Sequence, residues 1–560
     1  MSRPSTSVRP PKVEILFNGD PTPLGHLGIE SIETQLHANR IPSARLAFKP
    51  FEGDHAALVS LERDMKRCAE GVEILIRFGP DDVLFCGTVV SQQLLVRRRR
   101  IELVLKARHA LFKLTSVPRT AVYSGRTDEA IVRDILKRHE VPARTIQGLA
   151  VECEQAVQFR TSDWSFLKQR LQKYAVWLLP SLRALEIVAP ELKPKADHVI
   201  RPDHFDIDAG SLESATWNYR VLPTRRIAHS SWQIAQQEMS TPRPAGAVRI
   251  GRGGLDPAGL HVADESGWSE FHDEDMTAAE ENDLGHANLL TSHLASLSLA
   301  FVTVGTTLYA LGQTIQTEGF HGRCDGAALV SGVEHHLRPN HWRTTVSIGS
   351  EAGVLEDRPS RYAIGAIHTG TIGPRVDDPK SLGRLPVKLP VFGPDAAALW
   401  ARPMAPFASK STGFVFQPQP GDEVVVGFAS GYESEPVILG SLYNPKHPVP
   451  LDEANGEQGI VFAAGDHRQA IIFNTTEKRL VVETSNGSLT LGTEIFLKRQ
   501  GGAALTLTED VAIAGGAGDF TFDGAMKVEA ETLEFKASGA TRIAGATGVK
   551  IVGPSIDLTR

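Results

Sequence analysis

Short apolar runs separated by polar breaks fill the first part of the chain, as in Val13-Glu14-Ile15-Leu16-Phe17 and Val83-Leu84-Phe85-Cys86-Gly87-Thr88-Val89-Val90. Successive side chains on a strand point to opposite faces, so runs of this length predict β-strands over residues 12–120. The period then changes. Thr127-Asp128-Glu129 precedes Ala130, Ile131, Ile135 and Leu136, apolar positions at helical spacing behind an N-cap and an acidic first turn. This predicts a helix over 127–139. A second helix is predicted over 162–174, where Ser162 can cap and Phe166, Leu167, Leu171 and Tyr174 share a face. Strand-like text resumes at Val176-Trp177-Leu178-Leu179 and dominates from 215 to 355. Within that region residues 262–285 are dense in Asp and Glu with few apolar anchors, and are expected to form an exposed loop.

A new unit begins near Tyr362. Its first strand is expected at Ala363–Gly370, its second at Leu385–Leu389 and its last at Pro436–Tyr443. Short strands with Gly and Pro at the turns suit a small barrel, because closure removes the sheet edges that would otherwise aggregate. The segment Gly456–Arg560 differs from everything before it, with 15 glycines but a single proline, Pro554, against 34 prolines in the whole chain. Proline removes a ladder donor, so its near absence implies long unbroken strand pairing. Apolar pairs recur as Met526 and Val528, Leu533 and Phe535, Val549 and Ile551, and Ile556 and Leu558, with Ile543 in the intervening slot, at steps of seven or eight residues. One thin ladder of this kind has no inner core. Several chains, each supplying one wall of a prism, account for it better than a monomeric β-helix.

At 560 residues the chain is too long for one core, and about 150 residues per domain suggests three or four domains. Its 41% hydrophobic and 22% charged residues exclude wholesale disorder, and a formal charge of −7 gives no drive toward nucleic acid or anionic lipid. The run Arg97–Arg100 sits in strand-like text and reads as a solvated strand or subunit contact. Four cysteines, Cys68, Cys86, Cys153 and Cys324, lack CxxC spacing, which fits synthesis in a reducing cytoplasm. No apolar run of signal-peptide type follows Met1, and no 18-residue apolar stretch occurs, so export is expected to use another route.

Five linked motifs occur in one order: Ser381-Leu382-Gly383-Arg384-Leu385-Pro386-Val387, Trp400-Ala401-Arg402-Pro403-Met404-Ala405, Gly413-Phe414-Val415-Phe416-Gln417-Pro418, Gly421-Asp422-Glu423-Val424-Val425-Val426-Gly427-Phe428 and Pro436-Val437-Ile438-Leu439-Gly440-Ser441-Leu442-Tyr443-Asn444. This region resembles the OB-fold of VgrG (Rhs-element Vgr) spike proteins and of phage baseplate assembly protein V. The N-terminal half is similar to the hub of the same family, through Phe85-x-Gly87 and through Gln158–Leu167, which contains a Ser-Asp-Trp-x-Phe-Leu helix start. Over 180–355 the likeness rests only on sheet expected near Leu308–Leu311 and at Val330–His335. The resemblance implies a mainly β, multidomain fold: a hub β-barrel domain over 1–215 with the two helices, a second hub β domain over 216–358, an OB-fold over 359–450 and an intertwined triple-stranded β-helix over 451–560.

Candidate chemistry is sparse. His335-His336 with His341 has no supporting carboxylate or Cys spacing, and adjacent histidines on a strand face opposite ways. His272-Asp273-Glu274-Asp275 lies in the expected acidic loop, where a preorganised site is not expected. Gly251-Arg252-Gly253-Gly254 lacks the context of a phosphate cradle, no GxSxG occurs, and Trp164 and Phe166 read as core aromatics. No catalytic residue, cofactor or metal is therefore expected, and basic residues around the barrel are too sparse for single-strand binding.

The resemblance implies a structural homotrimer that links inner tube and baseplate proteins to an envelope-piercing needle capped by a PAAR-type tip protein. It would be made in the bacterial cytoplasm and delivered outside the cell or into the target cell, as part of an extracellular particle, a type VI system or a phage. Tip binding is expected at the end of the repeat, through Val552, Ser555, Ile556, Asp557, Leu558 and Thr559. Tyr443 leads into the repeat within a dozen or so residues, leaving no room for an inserted lysozyme-like domain, and the chain ends still repeating, so a toxin is expected on another chain. The rival is a trimeric tail-spike enzyme that degrades envelope polysaccharide. It would need a wider solenoid than a repeat of seven or eight residues allows.

Overall fold

A computed structural model describes residues 13–21, 23–25, 27–50, 57–79, 82–97, 100–202, 211–339, 341–349, 367–429, 435–493, 495–499, 504–507, 511–514 and 531–555. The chain divides into two compact units, Met1–Tyr443 and Asn444–Arg560.

The first unit is organised by a 13-stranded sheet. From Val13–Phe17 it passes through Glu73–Phe78, Asp82–Arg97, Arg100–Arg108, Ser43–Pro50 and Leu27–His37. It continues without a break into Gly326–Arg338, His341–Ile348, Leu297–Val304 and Leu212–Tyr219. The join is the antiparallel pairing that sets Ile32 opposite Leu337 and Leu36 opposite Val333. Strand pairing thus runs across the division expected at 215/216. Alternation along each strand fills two cores, one with Ile32, Leu46, Ile74, Ile76, Leu103 and Leu105, the other with Leu222, Phe301, Ile315, Val330 and Val346. Arg97 pairs with Arg100 at the ends of two neighbouring long strands, and Arg98 and Arg99 lie outside the described residues. Gly87 is required by close approach, because a Cβ there would collide with the carbonyl oxygen of Arg108.

Four α-helices are described. The first, α1 (Ala57–Arg67), carries Leu61 and Met65 against the sheet. The second, α2 (Asp128–Arg138), starts where Thr127 Oγ1 accepts from the Ala130 N–H at 3.2 Å, and α3 (Asp163–Leu171) starts where Ser162 accepts from the Ser165 N–H at 3.2 Å. Both ends come earlier than predicted, but the predicted faces are the ones buried. Ile131, Ile135 and Leu136 meet Phe166, Leu167, Leu171 and Tyr174 in a shared core, with Tyr123 stacked on Phe166 at 5.7 Å.

The acidic stretch 262–285 is not a loop throughout. Trp268–His272 is a strand running parallel to Ile227–Gln233, and α4 (Ala278–Ser296) follows it. A capping box between Thr277 and Glu280 starts α4, a signal present in the sequence but masked by the surrounding acids. Its inner face is weakly apolar, mixing Leu284, Ala287 and Leu290 with buried Glu281 and His293, so no hydrophobic stripe advertised it. Val330–His335 lies in a strand as expected, whereas Leu308–Leu311 lies in the connection between Leu297–Val304 and Thr314–Thr317.

The unit ends in a closed five-stranded barrel ordered His368–Ile372, Leu385–Lys388, Leu399–Pro403, Pro436–Leu442 and Glu423–Phe428. Val387, Leu399, Ala401, Val424, Val426 and Ile438 fill it, and Val157 from the hub strand Glu152–Ser162 joins the same core.

The second unit holds a seven-stranded antiparallel meander: Glu457–Ala464, His467–Asn474, Arg479–Thr484, Gly487–Leu491, Ile495–Arg499, Ala504–Leu507 and Val511–Ala514. Among the described residues of 531–555 there is no strand, and all are exposed. The apolar pairs Leu533 and Phe535, and Val549 and Ile551, are among the large exposed hydrophobics. Met526, Val528, Ile556 and Leu558 lie outside the described residues.

Candidate functional site

The meander carries an apolar surface that no layer covers among the described residues. Its register aligns Ile460, Ile471, Val482, Leu489 and Leu497 in one cross-strand column. Phe473, Leu480, Leu491 and Ile495 form a second column on the same face, two residues along each strand. Phe462 extends the face at its start. Phe462 and Phe473 are 51% and 53% exposed, and Ile460, Ile471, Val482, Leu491, Ile495 and Leu497 are all exposed. A contiguous ladder of large apolar side chains in water is unfavourable by roughly 25 cal/mol per Å², so a face of this kind marks an interaction surface. The barrel presents a smaller patch of the same character around its Ala408–Gly413 hairpin, through Met404, Phe407, Phe414, Val415 and Phe416.

Between hub and barrel, buried charge fixes the geometry. Arg384 of the Ser381–Val387 motif lies between Glu154 on the hub strand and Asp378 in its own loop, with Nη1 2.9 Å from Glu154 Oε2 and Nη2 2.7 Å from Asp378 Oδ1. Asp378 also accepts from the backbone N–H groups of Lys380, Leu382 and Arg384. Burial alone would raise the Asp378 carboxyl, but the Arg384 guanidinium and these amides hold it well below the usual carboxylate range. Glu154 is likewise lowered, against its own burial, by Arg384 and Lys380. The Gln155 side-chain carbonyl accepts from the Trp400 N–H at 3.1 Å, and Phe159 meets Phe392 edge-on at 5.6 Å.

The Ser-Asp-Trp-x-Phe-Leu motif owes its pattern to this frame. Ser162 caps, Phe166 and Leu167 are core, and buried Asp163 gathers Arg138 at 3.1 Å, His139 at 2.6 Å and Gln158 at 2.8 Å. Burial raises Asp163, yet those partners bring it below its ordinary value. Asp128 is lowered in the same way by Arg170 and Lys173.

His335 is buried and bonded to Thr344 at 3.0 Å, and burial pushes its pKa down to about 4, so it is a neutral core residue at pH 7. Arg252 donates to the Pro194 carbonyl, and the Gly251–Gly253 strand pairs with Gly326–Ala328, so this glycine-rich segment is sheet edge. Of the residues expected to bind a tip protein, Val552 and Ser555 are exposed, and Ile556, Asp557, Leu558 and Thr559 lie outside the described residues.

One cluster was missed in the sequence. His229 on the Ile227–Gln233 strand meets His272 and Glu270 from the Trp268–His272 strand, with His229 Nδ1 2.8 Å from His272 Nε2 and 3.8 Å from Glu270 Oε2. The available signal was the alternation of Glu270 and His272, which places both on one strand face. It was hidden because the segment read as loop.

Residues 8–339 match the family described as the Alg8 N-terminal domain, and residues 368–443 match the type VI secretion system/phage-baseplate injector OB domain. No curated protein shows significant sequence similarity to the chain. Among solved structures, the chain is similar to the half-lidded Francisella PdpA–VgrG complex, at TM-score 0.57 and 8% identity over 90% of this chain and 88% of that one. The lidless PdpA–VgrG complex gives TM-score 0.55 and 8% identity over 90% and 98%. The E. coli c3393 protein, a type VI secretion component, aligns at TM-score 0.49 and 12% identity over 77% of this chain and all of that one. The fold is therefore mainly β and like that of the VgrG chains in these complexes.

Proposed function

The chain belongs to the family of the Alg8 N-terminal domain, and on that premise we propose that it forms the homotrimeric hub and spike of a contractile injection apparatus. The observation that carries this reading is the exposed apolar face running from Ile460 to Leu497. Three copies arranged about an axis turn three such faces inward and bury them against one another, which a single sheet cannot do for itself. The exposed repeat pairs at Leu533, Phe535, Val549 and Ile551 extend the same logic toward the C-terminus as an intertwined β-helix.

In this reading the first unit is the adapter to inner tube and baseplate. Its continuous sheet and the buried Arg384–Glu154 contact give it the stiffness to transmit an axial load. The work is mechanical and needs no catalysed step. The spike is delivered outside the cell or into the target, and partner chains ride on it, as PdpA is held in complex with a VgrG of similar fold. A tip protein docks near Val552 and Ser555. No described helix is long and apolar enough to cross a membrane. In this reading piercing is the work of the prism.

Light scattering on the purified chain tests the assembly. A mass three times the 60.7 kDa of one chain is expected, and a monomer at micromolar concentration would overturn the reading.

A further inference from the structure

We propose that His229, Glu270 and His272 form a binding site for a divalent transition-metal ion of the zinc class. The three ligand atoms lie within 4.8 Å of one another. Zinc takes imidazole nitrogen and carboxylate oxygen at about 2.0–2.2 Å, which in tetrahedral geometry sets neighbouring ligand atoms about 3.3 Å apart. The observed 2.8 and 3.8 Å separations bracket that value, so shifts of a few tenths of an ångström bring the set around an ion. His229 and His272 are buried, whereas Glu270 is 41% exposed and free to adjust. That open side leaves a fourth position to water.

The strands impose the convergence. His229 and Glu270 are direct partners in the parallel ladder, and His272 projects from the same face as Glu270. A further residue orients the ring. Asn288 on α4 places its amide 3.0 Å from Nε2 of His229, leaving Nδ1 to face the other ligands. An ion at Nδ1 requires a proton on Nε2, and the Asn288 amide, turned about its last bond, presents Oδ1 to accept it. Gly285 permits this approach, since a Cβ there would come within 2.7 Å of Ala245 Cβ.

The ion would staple the strand Trp268–His272 to Ile227–Gln233. Three residues beyond His272, the Asp275 N–H donates to Glu435 beside the barrel strand, so the staple fixes a segment that touches the barrel.

The test uses the full-length, tag-free protein stripped with EDTA and titrated with Co²⁺, read by its visible d–d bands, with Zn²⁺ competition and elemental analysis. One equivalent per chain is expected, displaced by Zn²⁺, with a Zn²⁺-dependent rise in Tm. His272→Ala should abolish the bands. Glu270→Gln, which removes only a charge from a partly exposed side chain and preserves the fold, should weaken affinity at least tenfold and remove the Tm shift. Absence of binding, or equal binding by wild type and Glu270→Gln, overturns the proposal, the second outcome assigning the metal to other histidines.

Discussion

Arg384 places its guanidinium 2.9 Å from the carboxylate of Glu154, a residue 230 positions earlier in the chain, and so ties barrel to hub through a contact in which the arginine is buried and the glutamate half-buried. Removing one member of a buried ion pair strands the other charge and costs about 3–5 kcal/mol. Arg384→Ala is expected to lose stability in that range in urea unfolding of the first unit. Glu154→Gln, which keeps an acceptor and leaves Asp378 to pair with Arg384, should lose less. Equal small losses from both would mean that the pair is solvated.

Acid should weaken the first unit. Glu154, Asp378, Asp128 and Asp163 all have folded-state pKa values held below their ordinary ones by cationic partners. Their contribution is present above the unfolded value of about 4 and is lost as pH falls through the lower folded value. Asp275, Asp283 and Glu435 are raised, chiefly by burial, so they act in the opposite sense, their contribution being lost as pH rises through the folded value. The four lowered groups outnumber them. Calorimetry should therefore record a Tm that falls below about pH 4, and Arg384→Ala should flatten that fall. A Tm that holds steady into strong acid contradicts the assignment.

Phe473 and Phe462 test the assembly face. Each is about half exposed among the described residues, and copies packed together on this face would bury both. If the proposed trimer forms, Phe462→Asp with Phe473→Asp should convert it to monomer in sedimentation velocity. The melting of the first unit should be unchanged, and a trimer that survives both charges would remove this face from the interface.

The helix motif separates core from cap. Phe166 is fully buried, so Phe166→Ala should cost about 3–5 kcal/mol, whereas Ser162→Ala should cost about 1 kcal/mol through the lost N-cap bond. Urea midpoints at constant slope give both numbers.

Gly87→Ala addresses close packing in the sheet. Its Cβ would meet the Arg108 carbonyl carbon at 2.8 Å as well as the oxygen, backbone atoms that cannot swing aside. The expected loss is about 1–3 kcal/mol from forced displacement of neighbouring strands, visible as a lower Tm. A neutral Gly87→Ala would show that the two strands can separate without cost.

Local elements whose two faces differ can be read from neighbouring residues alone. The caps at Thr127 and Ser162, the buried faces of α2 and α3 and the barrel strands Leu385–Lys388 and Pro436–Leu442 were legible, because period and capping are properties of neighbouring residues, whereas the barrel strand His368–Ile372 only overlaps the end of the one expected at Ala363–Gly370. The apolar character of the C-terminal segment was legible too, although its longest described ladder runs from Ile460 to Leu497, ahead of the repeat that drew attention to it. Tertiary structure alone decided which distant edges meet. Nothing in the alternation of Leu27–His37 specifies Gly326–Arg338 as its neighbour, since a strand's pattern encodes which face is buried and not which edge it joins. The helix Ala278–Ser296 was hidden because its inner face includes Glu281 and His293, whose burial depends on what surrounds them. His229 and Glu270 are 41 residues apart and become ligand partners only through the parallel pairing of their strands, a juxtaposition set by the fold.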